Sequence, residues 1–223
     1  VWLLVNQRQT MFFGSSERMK SVTAAEATAL AAWRVLGAGD RVGAMVFDDS
    51  DIVTIRPQRS RNQVMRVLGA VIEKNHRLNA SNPEPANPVI INEALRQLLP
   101  LARHDSLICI IGDGSGVDDE TTRLITRLNA HNDCLFVMVY DPLEARLPRA
   151  GRLTASDGER RLVFNSSSRR LQDDFAADFE ERLETLQNLS RRQAIPLLPV
   201  STAEPVIGQV RNLLGHRVTA SRF

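Results

Sequence analysis

The sequence has few residues of the kinds that support disulfide-linked, metal-binding or membrane-spanning proteins. Its two cysteines, Cys109 and Cys134, both lie inside apolar runs, which is typical of reduced core residues. The four histidines show no ligand spacing such as His-x-x-x-His. No apolar run approaches the roughly 20 residues of a membrane helix. We therefore expect a cytoplasmic protein with no membrane segment in this part of the chain.

Lysine is almost absent as well. Of 28 basic residues only Lys20 and Lys74 are lysines, and 26 acidic residues bring the formal net charge to +2. A charge this small does not predict a polyanion partner, so we expect no nucleic-acid binding. The 223 residues, 43% of them hydrophobic, predict a single globular domain over 1–223. Because the chain starts inside an apolar run without a methionine, we expect it to be truncated at its N-terminus.

The chain alternates predicted strands and helices. A continuous apolar run over 1–5 ends at the polar loop 6–10, which is typical of a buried parallel strand that delivers its carboxyl end to a strand–helix turn. Within the first helix, predicted over 17–36, apolar residues recur at three- and four-residue steps and are expected to face the core: Val22, Ala25, Ala29, Trp33 and Leu36. Further strands are predicted at 41–47, 52–55, 106–111, 133–140 and 195–200, and the last helix at 204–214, before a frayed basic tail at 216–223.

This alternation predicts an α/β fold with a doubly wound, mostly parallel sheet. One antiparallel edge strand is expected, because the acidic turn 48–51 joins two strands as a hairpin. A second, small hairpin is predicted near 150–165, inside a peripheral insertion at 141–167. If the strand order is 3-2-1-4-5-6, the loops after the first strand and after Ile111 meet at the switch point. Asn6, Arg8, Thr10 and Asp113 would then converge.

The sequence contains no motif that predicts catalysis. The run Gly112-Asp113-Gly114-Ser115-Gly116 lacks the glycine spacing of a nucleophile elbow and the Gly-Lys-Ser/Thr ending of a phosphate loop. Its glycines instead let the backbone approach its neighbours closely around Asp113. The hairpin aspartates Asp48, Asp49 and Asp51 are interpreted as a solvated turn, because no glycine supplies the sharp bend of a calcium loop. We predict no catalytic residue and a protein that is not an enzyme.

Four stretches carry a resemblance to known families. They are Val5-Asn6-Gln7-Arg8-Gln9-Thr10-Met11-Phe12-Phe13-Gly14, Gly39-Asp40-Arg41-Val42-Gly43-Ala44-Met45-Val46-Phe47, Pro57-x-Arg59-Ser60-Arg61 and Asp141-Pro142-Leu143-Glu144. The chain resembles von Willebrand factor A domains, and more closely the bacterial domain-of-unknown-function family 58, whose members are partners of MoxR-type AAA+ ATPases. The resemblance implies a von Willebrand factor A-like fold over nearly the whole chain.

The resemblance also implies a degenerate metal-ion-dependent adhesion site. In that superfamily the site uses Asp-x-Ser-x-Ser after the first strand, a later threonine and a late aspartate. Here the first motif reads Asn6-x-Arg8-x-Thr10, Asp113 matches the late aspartate, and the stretch 87–89 contains no threonine. Because magnesium prefers octahedral oxygen ligands anchored by carboxylate, we expect no cofactor, magnesium being the one candidate. We predict that Arg8 pairs with Asp113 in place of a cation.

These features favour a non-enzymatic protein-interaction module that partners a MoxR-type AAA+ ATPase in protein assembly or maturation. Its contact surface is predicted at the strand-end loops, since loops on a rigid sheet carry binding. The residues are Asn6, Arg8, Thr10, Asp48, Asp49, Asp51 and Asp113. Two alternatives stay open: a metal-dependent adhesion-type binding domain that uses Thr10, Asp113 and water, and a metal-dependent hydrolase or nuclease that combines Asp113 with the hairpin aspartates.

Overall fold

The computed structural model describes residues 1–79, 85–148, 151–156 and 161–220. Within these ranges strands and helices alternate along most of the chain. The strands are β1 (Trp2–Asn6), β2 (Val42–Phe47), β3 (Ile52–Gln58), β4 (Leu107–Gly112), β5 (Asp133–Tyr140), β6 (Arg152–Ser156), β7 (Arg161–Asn165) and β8 (Leu197–Ser201). The helices are α1 (Lys20–Gly37), α2 (Arg61–Arg77), α3 (Ile90–Leu98), α4 (Asp119–Asn129), α5 (Pro142–Ala145), α6 (Arg169–Gln193) and α7 (Val206–Ala220).

The main sheet has six strands in the order β3-β2-β1-β4-β5-β8, which confirms the predicted arrangement. Its strand pairs are parallel except for β2 with β3, the predicted antiparallel hairpin. The order reverses between β1 and β4, where Val5 lies opposite Ile111. The loops that follow these two strands are therefore neighbours at the carboxyl edge of the sheet, where α/β proteins bind their ligands.

Each face of the sheet carries its own core. On β1, Trp2 and Leu4 pack with α3, α4 and α6 on one face, whereas Leu3 and Val5 pack with α1, α2 and α7 on the other. Both faces are covered by helices, and this explains why the central strands are continuous apolar runs instead of alternating polar and apolar residues. The chain thus forms a doubly wound α/β fold, as predicted.

The predicted core-facing stripe of α1 is only partly right, because Ala25 and Leu36 pack against the core as predicted but other members do not. Val22 and Trp33 are 37% and 43% exposed, whereas Ala24, Ala27 and Ala32 are buried. Because α1 contacts β1, β2, β4, β5, α2 and α7, the buried apolar residues along its middle are alanines. Leu30, Val35 and Leu36 are partly buried against the core, so the predicted stripe is offset from the buried face and does not lie opposite to it.

Several predicted boundaries change in the structure. β3 continues past Pro57 to Gln58, beside a bulge at Gly43, where an added Cβ would lie 2.6 Å from the carbonyl oxygen of Ile55. α7 runs to Ala220, so most of the predicted frayed tail is helical, since no proline interrupts it. The short helix α5 was not predicted. The second hairpin, β6–β7, is confirmed as a separate two-stranded sheet.

Parts of two predicted features lie outside the described residues: 149–150 and 157–160 of the insertion that carries the second hairpin, and 221–223 of the tail. Residues 80–84, within the Asn- and Pro-rich stretch 76–88, lie outside them as well. In the part of the chain that is described, no helix is long and apolar enough to cross a membrane.

Candidate functional site

The loop after β1 is fixed by the side chain of Asn6. Its Oδ1 accepts the backbone N–H of Arg8 at 2.9 Å, a local turn that asparagine forms readily. Its Nδ2 lies 3.4 Å from Oδ1 of Asp113, and Asn6 is only 4% exposed. The structure therefore brings together the first and the last residue of the predicted site, because the side chains of Asn6 and Asp113 lie next to each other at the switch point between β1 and β4.

Arg8 does not pair with Asp113, so that prediction is wrong. The Nε of Arg8 lies 2.9 Å from Oδ1 of Asp49, and an Nη nitrogen donates to the carbonyl oxygen of Ser115 at 3.1 Å. Asp49 also accepts the backbone N–H groups of Gln9 at 2.7 Å and of Asn87 at 2.9 Å. The buried Arg8–Asp49 pair consequently ties together the loops that follow β1, β2 and β4 and the loop before α3.

Asp113 pairs with Lys20 instead. The Nζ of Lys20 lies 3.0 Å from Oδ2 of Asp113, and the two residues are 2% and 0% exposed. The same carboxylate accepts the backbone N–H of Ser115 at 3.1 Å and its hydroxyl at 3.0 Å. Burial alone would raise the pKa of Asp113, but the ammonium of Lys20 and the guanidinium of Arg182 outweigh it and lower that pKa to about 2. Asp113 is therefore charged at neutral pH, and both of its carboxylate oxygens are bonded.

Lys20 contacts a second carboxylate, that of Glu144, at 2.7 Å. Arg182 of α6 lies 3.1 Å from the same oxygen of Glu144 and 3.9 Å from Asp113. Two cations and two carboxylates, of which Lys20 and Asp113 are buried and Glu144 and Arg182 partly buried, thus form a group of four residues, the Lys20 network. It joins α1, α5 and α6 to the loop after β4.

Glu144 is held in place by the short helix α5. Its second carboxylate oxygen accepts the backbone N–H of Asp141 at 3.0 Å, while Asp141 accepts the N–H of Leu143 at 2.9 Å, which forms a capping box. The buried Asp141 also accepts the N–H of Ser15 at 2.8 Å and the hydroxyl of Thr202 at 2.6 Å. The Asp-Pro-Leu-Glu stretch therefore positions Glu144 for Lys20 and links the loops after β1 and β8.

Two of the hairpin aspartates, Asp48 and Asp51, are bonded to the end of α2. The Nζ of Lys74, which is 1% exposed, lies 2.9 Å from Asp48 and also bonds to Asp51. Arg77 lies 2.9 Å from Asp51. The hydrogen bond from Lys74 lowers the pKa of Asp51. For Asp48, burial opposes this effect, but the bonds from Lys74 and the hairpin backbone still lower its pKa. The hairpin tip is therefore a bonded structure, which corrects its interpretation as a solvated turn.

Thr10 is the predicted site residue whose side chain makes no hydrogen bond. It lies on a single 3-10 turn, and its hydroxyl oxygen is buried with no hydrogen-bond partner. Asp113 is the one carboxylate of the predicted Asn6–Thr10–Asp113 set. In the described residues there is no group of three or more His, Cys, Asp or Glu side chains that could hold a metal ion. Asp113 and the hairpin aspartates are accordingly not gathered into one cluster.

At Gly116 the loop after β4 passes close to the backbone of Pro88 in the loop before α3. Gly116 has a φ of +83°, and a Cβ there would collide with the carbonyl of Pro88 and lie 3.1 Å from a guanidinium nitrogen of Arg8. Glycine is needed at this position for both its conformation and its size. This confirms that the glycines around Asp113 allow close packing.

The sequence analysis did not identify Lys20, Lys74 or Arg182 as site residues, although the sequence carried a signal for both lysines. Lys74 continues the buried stripe Val64, Val67 and Val71 of α2, and Lys20 begins the buried stripe of Ala24 and Ala27 on α1. A lysine in phase with a buried helix face indicates a buried ammonium that needs carboxylate partners. Arg182, by contrast, lies within a helix rich in charged residues, and nothing in its spacing singles it out.

We predict that Lys20→Met destabilises the domain by about 3–5 kcal/mol, because it leaves Asp113 buried without its nearest cation. The double variant Lys20→Met/Asp113→Asn should be less destabilised than the sum of the two single variants. Arg123→Gln, which breaks an exposed ion pair with Glu120, is the control and should cost less than about 1 kcal/mol. Urea unfolding measures all four. Additive effects, or a Lys20→Met variant as stable as the control, would contradict the Lys20 network.

A second prediction concerns pH. The pKa of Asp113 is about 2 in the folded chain against 3.8 for the ordinary group, so its ion pairs stabilise the fold fully above about pH 4. That contribution is lost as the pH falls towards 2, because the unfolded chain then binds the proton more readily. Unfolding free energies measured between pH 5 and 2 should fall less steeply for Asp113→Asn than for the native chain. Asp119→Asn, at an exposed helix position, should keep the native slope, and equal slopes for all three would refute this assignment.

Comparison with known proteins agrees with this architecture. The chain is 14% identical to the conserved hypothetical protein BatB from Bacteroides thetaiotaomicron, with a TM-score of 0.54 over 98% of this chain and 97% of that one. It is 11% identical to the SpRpn10 VWA domain, with a TM-score of 0.53 over 95% and 93%. At these identities the likeness concerns the fold alone, which is that of a von Willebrand factor A domain.

No curated protein matches the sequence. A family model does match it: residues 1–185, from β1 through the first two-thirds of α6, fit the model described as protein of unknown function DUF58. This range includes every residue of the Lys20 network and of the Arg8–Asp49 pair. The chain is a member of the DUF58 family, with the von Willebrand factor A fold.

Proposed function

We propose that this domain is a non-enzymatic protein-interaction module whose carboxyl-edge loops are held by internal cations instead of a bound metal. The single observation that carries the proposal is the Lys20 ammonium bound to both Asp113 and Glu144. In place of an exchangeable ion, a covalently attached cation neutralises the buried carboxylate at the switch point. The loops are then fixed before any partner arrives, and pre-organisation reduces the cost of binding.

The carboxylate oxygens of Asp113 are already bonded to other groups, which supports the proposal that no metal is bound. Oδ2 of Asp113 bonds to Lys20 and to the hydroxyl of Ser115, and Oδ1 bonds to the backbone N–H of Ser115 and faces the amide of Asn6. Magnesium would have to displace an ammonium and then find five further oxygens next to Arg8. These residues do not fit a divalent cation.

The titratable groups support a non-catalytic role. General acids and bases work best when their pKa lies near the working pH. Here burial tends to raise the pKa values of the carboxyl groups, but bonds from cations, hydroxyls and backbone N–H groups outweigh it and lower them at Asp48, Asp51, Asp113, Asp118 and Asp141. Burial raises the pKa values of Cys109 and Cys134 to about 12, which makes both thiols inert.

The contact surface is the exposed rim of the carboxyl edge. Asn6, Arg8, Asp48, Asp49 and Asp113 are buried and form the frame of this edge, so a partner would reach other side chains. Those at the surface are Ser15, Ser16, Glu17, Ser50, Asp51, Val89, Asp118 and Asp119. Val89 is 56% exposed and follows Pro88, whose carbonyl faces Gly116 beside Asp113. An exposed apolar side chain inside a polar rim is a common feature of protein interfaces.

We further propose, from the resemblance noted in the sequence, that the partner is a MoxR-type AAA+ ATPase. The full-length protein is immobilised, exposed to host lysate, and the retained proteins are identified by mass spectrometry. The native bait should retain this ATPase, and Val89→Glu should retain much less, because a charge replaces an apolar contact. Met65→Glu is the matched control, since Met65 is 58% exposed on α2 near the opposite edge of the sheet. Failure of the native bait to retain the ATPase, or equal loss with both variants, would refute the proposal.

One observation favours the metal-dependent alternative: the buried hydroxyl of Thr10 has no hydrogen-bond partner. Differential scanning fluorimetry with magnesium or manganese separates the two functions. We expect no saturable rise in the Tm of the native chain. The variant Asn6→Asp/Arg8→Ser/Lys20→Ala should gain such a rise, since it supplies a carboxylate and a hydroxyl and removes the charges of Arg8 and Lys20. Saturable stabilisation of the native chain would instead support an adhesion-type metal site.

A further inference from the structure

A second surface lies away from the carboxyl edge, on the outer strand β3. The side chains of Thr54, Arg56 and Gln58 on β3 are exposed, and Thr54 lies opposite Met45, on the face of the sheet that carries α3. Together with Arg66, Gln97, Pro100 and Leu101 they line a groove of about 690 Å³. This volume is within the range of binding clefts. Because β3 runs antiparallel to β2, its carboxyl end lies at the edge of the sheet where the parallel strands begin, and the groove along it is separate from the rim described above.

The groove carries positive charge that the described parts of the chain do not neutralise. Between residues 52 and 72 the sequence contains four arginines and no acidic residue. Among the ion pairs of the described residues, which engage arginines such as Arg8, Arg77 and Arg182, none includes Arg56 or Arg66. Glu93, one turn before Gln97 on α3, accepts the amide of Gln97 at 3.3 Å instead. Unpaired, exposed arginines in a concave surface are typical of sites that recognise carboxylates.

The buried Gln63 sets the positions of both arginines. Its amide nitrogen donates to the carbonyl oxygens of Arg56 and of Val42, the latter at 3.2 Å. Its amide oxygen lies 3.4 Å from an Nη nitrogen of Arg66. Gln63 is 1% exposed, so this arrangement belongs to the packed interior of the domain. The two guanidinium groups therefore extend from a rigid support, one from β3 and one from α2.

We propose that this groove binds an extended acidic peptide segment of a partner protein. β3 is an edge of the six-stranded sheet, and extended segments bind along such edges. Carboxylates of the segment bond to Arg56 and Arg66, while the amide and hydroxyl groups of Gln58, Gln97 and Thr54 bond to its backbone. Pro100 and Leu101 supply the apolar part of the groove. Pro57 has no N–H to donate, so the segment is held mainly by side chains at that end.

Nucleic acid is the less favoured occupant. Its binding usually relies on many phosphate contacts or on aromatic stacking, whereas this groove has two arginines and no aromatic residue in its lining. The net charge of +2 for the whole chain agrees with this preference.

The test measures fluorescence anisotropy of a labelled peptide in which four glutamates alternate with valines. A matched peptide with glutamine in place of glutamate, and a ten-residue oligothymidylate, are measured alongside. The native chain should bind the glutamate peptide, and Arg56→Gln/Arg66→Gln should weaken this binding roughly tenfold. The control Arg123→Gln/Arg191→Gln removes the same charge from exposed positions on α4 and α6 and should change the affinity less than about twofold. Unchanged Tm values confirm that both double variants are folded.

Three results would overturn the proposal. The first is no binding of the glutamate peptide at low salt. The second is an equal loss of affinity in the two double variants, which would indicate general charge attraction, or equal binding of the glutamine peptide, which would indicate apolar contact. The third is tighter binding of the oligothymidylate that depends on Arg56 and Arg66, which would make the groove a nucleic-acid site.

Discussion

The ion pair between Lys20 and Asp113 is the interaction on which the carboxyl edge of this domain depends. A carboxylate at the switch point of a parallel sheet is removed from water on all sides, and its charge must be compensated by a cation. A metal ion can dissociate, whereas the ammonium of Lys20 belongs to the first residue of α1 and stays in place. The position of α1 is therefore coupled to the charge of Asp113 through bonds of 3.0 Å to Asp113 and 2.7 Å to Glu144.

A buried lysine between two carboxylates occurs twice in this domain. Lys74 stands between Asp48 and Asp51 as Lys20 stands between Asp113 and Glu144, and both lysines begin or end a helix that packs on the sheet. A lysine ammonium is a compact charge with three donors, which suits a buried point between two carboxylates, whereas the planar fork of arginine suits a bidentate contact or a longer reach. Arg8 uses that reach to contact Asp49 and Ser115 on different loops. The division between the two residue types thus follows the geometry of their sites.

Much of the fold could be predicted from the sequence, because strands buried on both faces are continuous apolar runs and the strand order has few alternatives. The meeting of Asn6 with Asp113 followed from that order. The partner of Asp113 did not, because Arg8 and Lys20 are both within reach of the same edge, and their side-chain directions depend on a 3-10 turn and on the start of α1 that the pattern did not fix. Two positions of the predicted stripe on α1, Val22 and Trp33, are exposed for a related reason: crowding from several elements favours alanine at the most buried positions of this helix.

The burial of both lysines has a consequence for the chemistry of the surface. These two are the only lysines of the chain, and they are 2% and 1% exposed. Reagents and enzymes that acylate side-chain amines find no accessible lysine on the folded domain, although the chain contains 26 arginines. Modification requires α1 or the end of α2 to open first, so that the rate of lysine acylation reports the opening of those two elements separately. Acylation of Lys20 therefore reports the opening of α1, and acylation of Lys74 reports the opening of the end of α2.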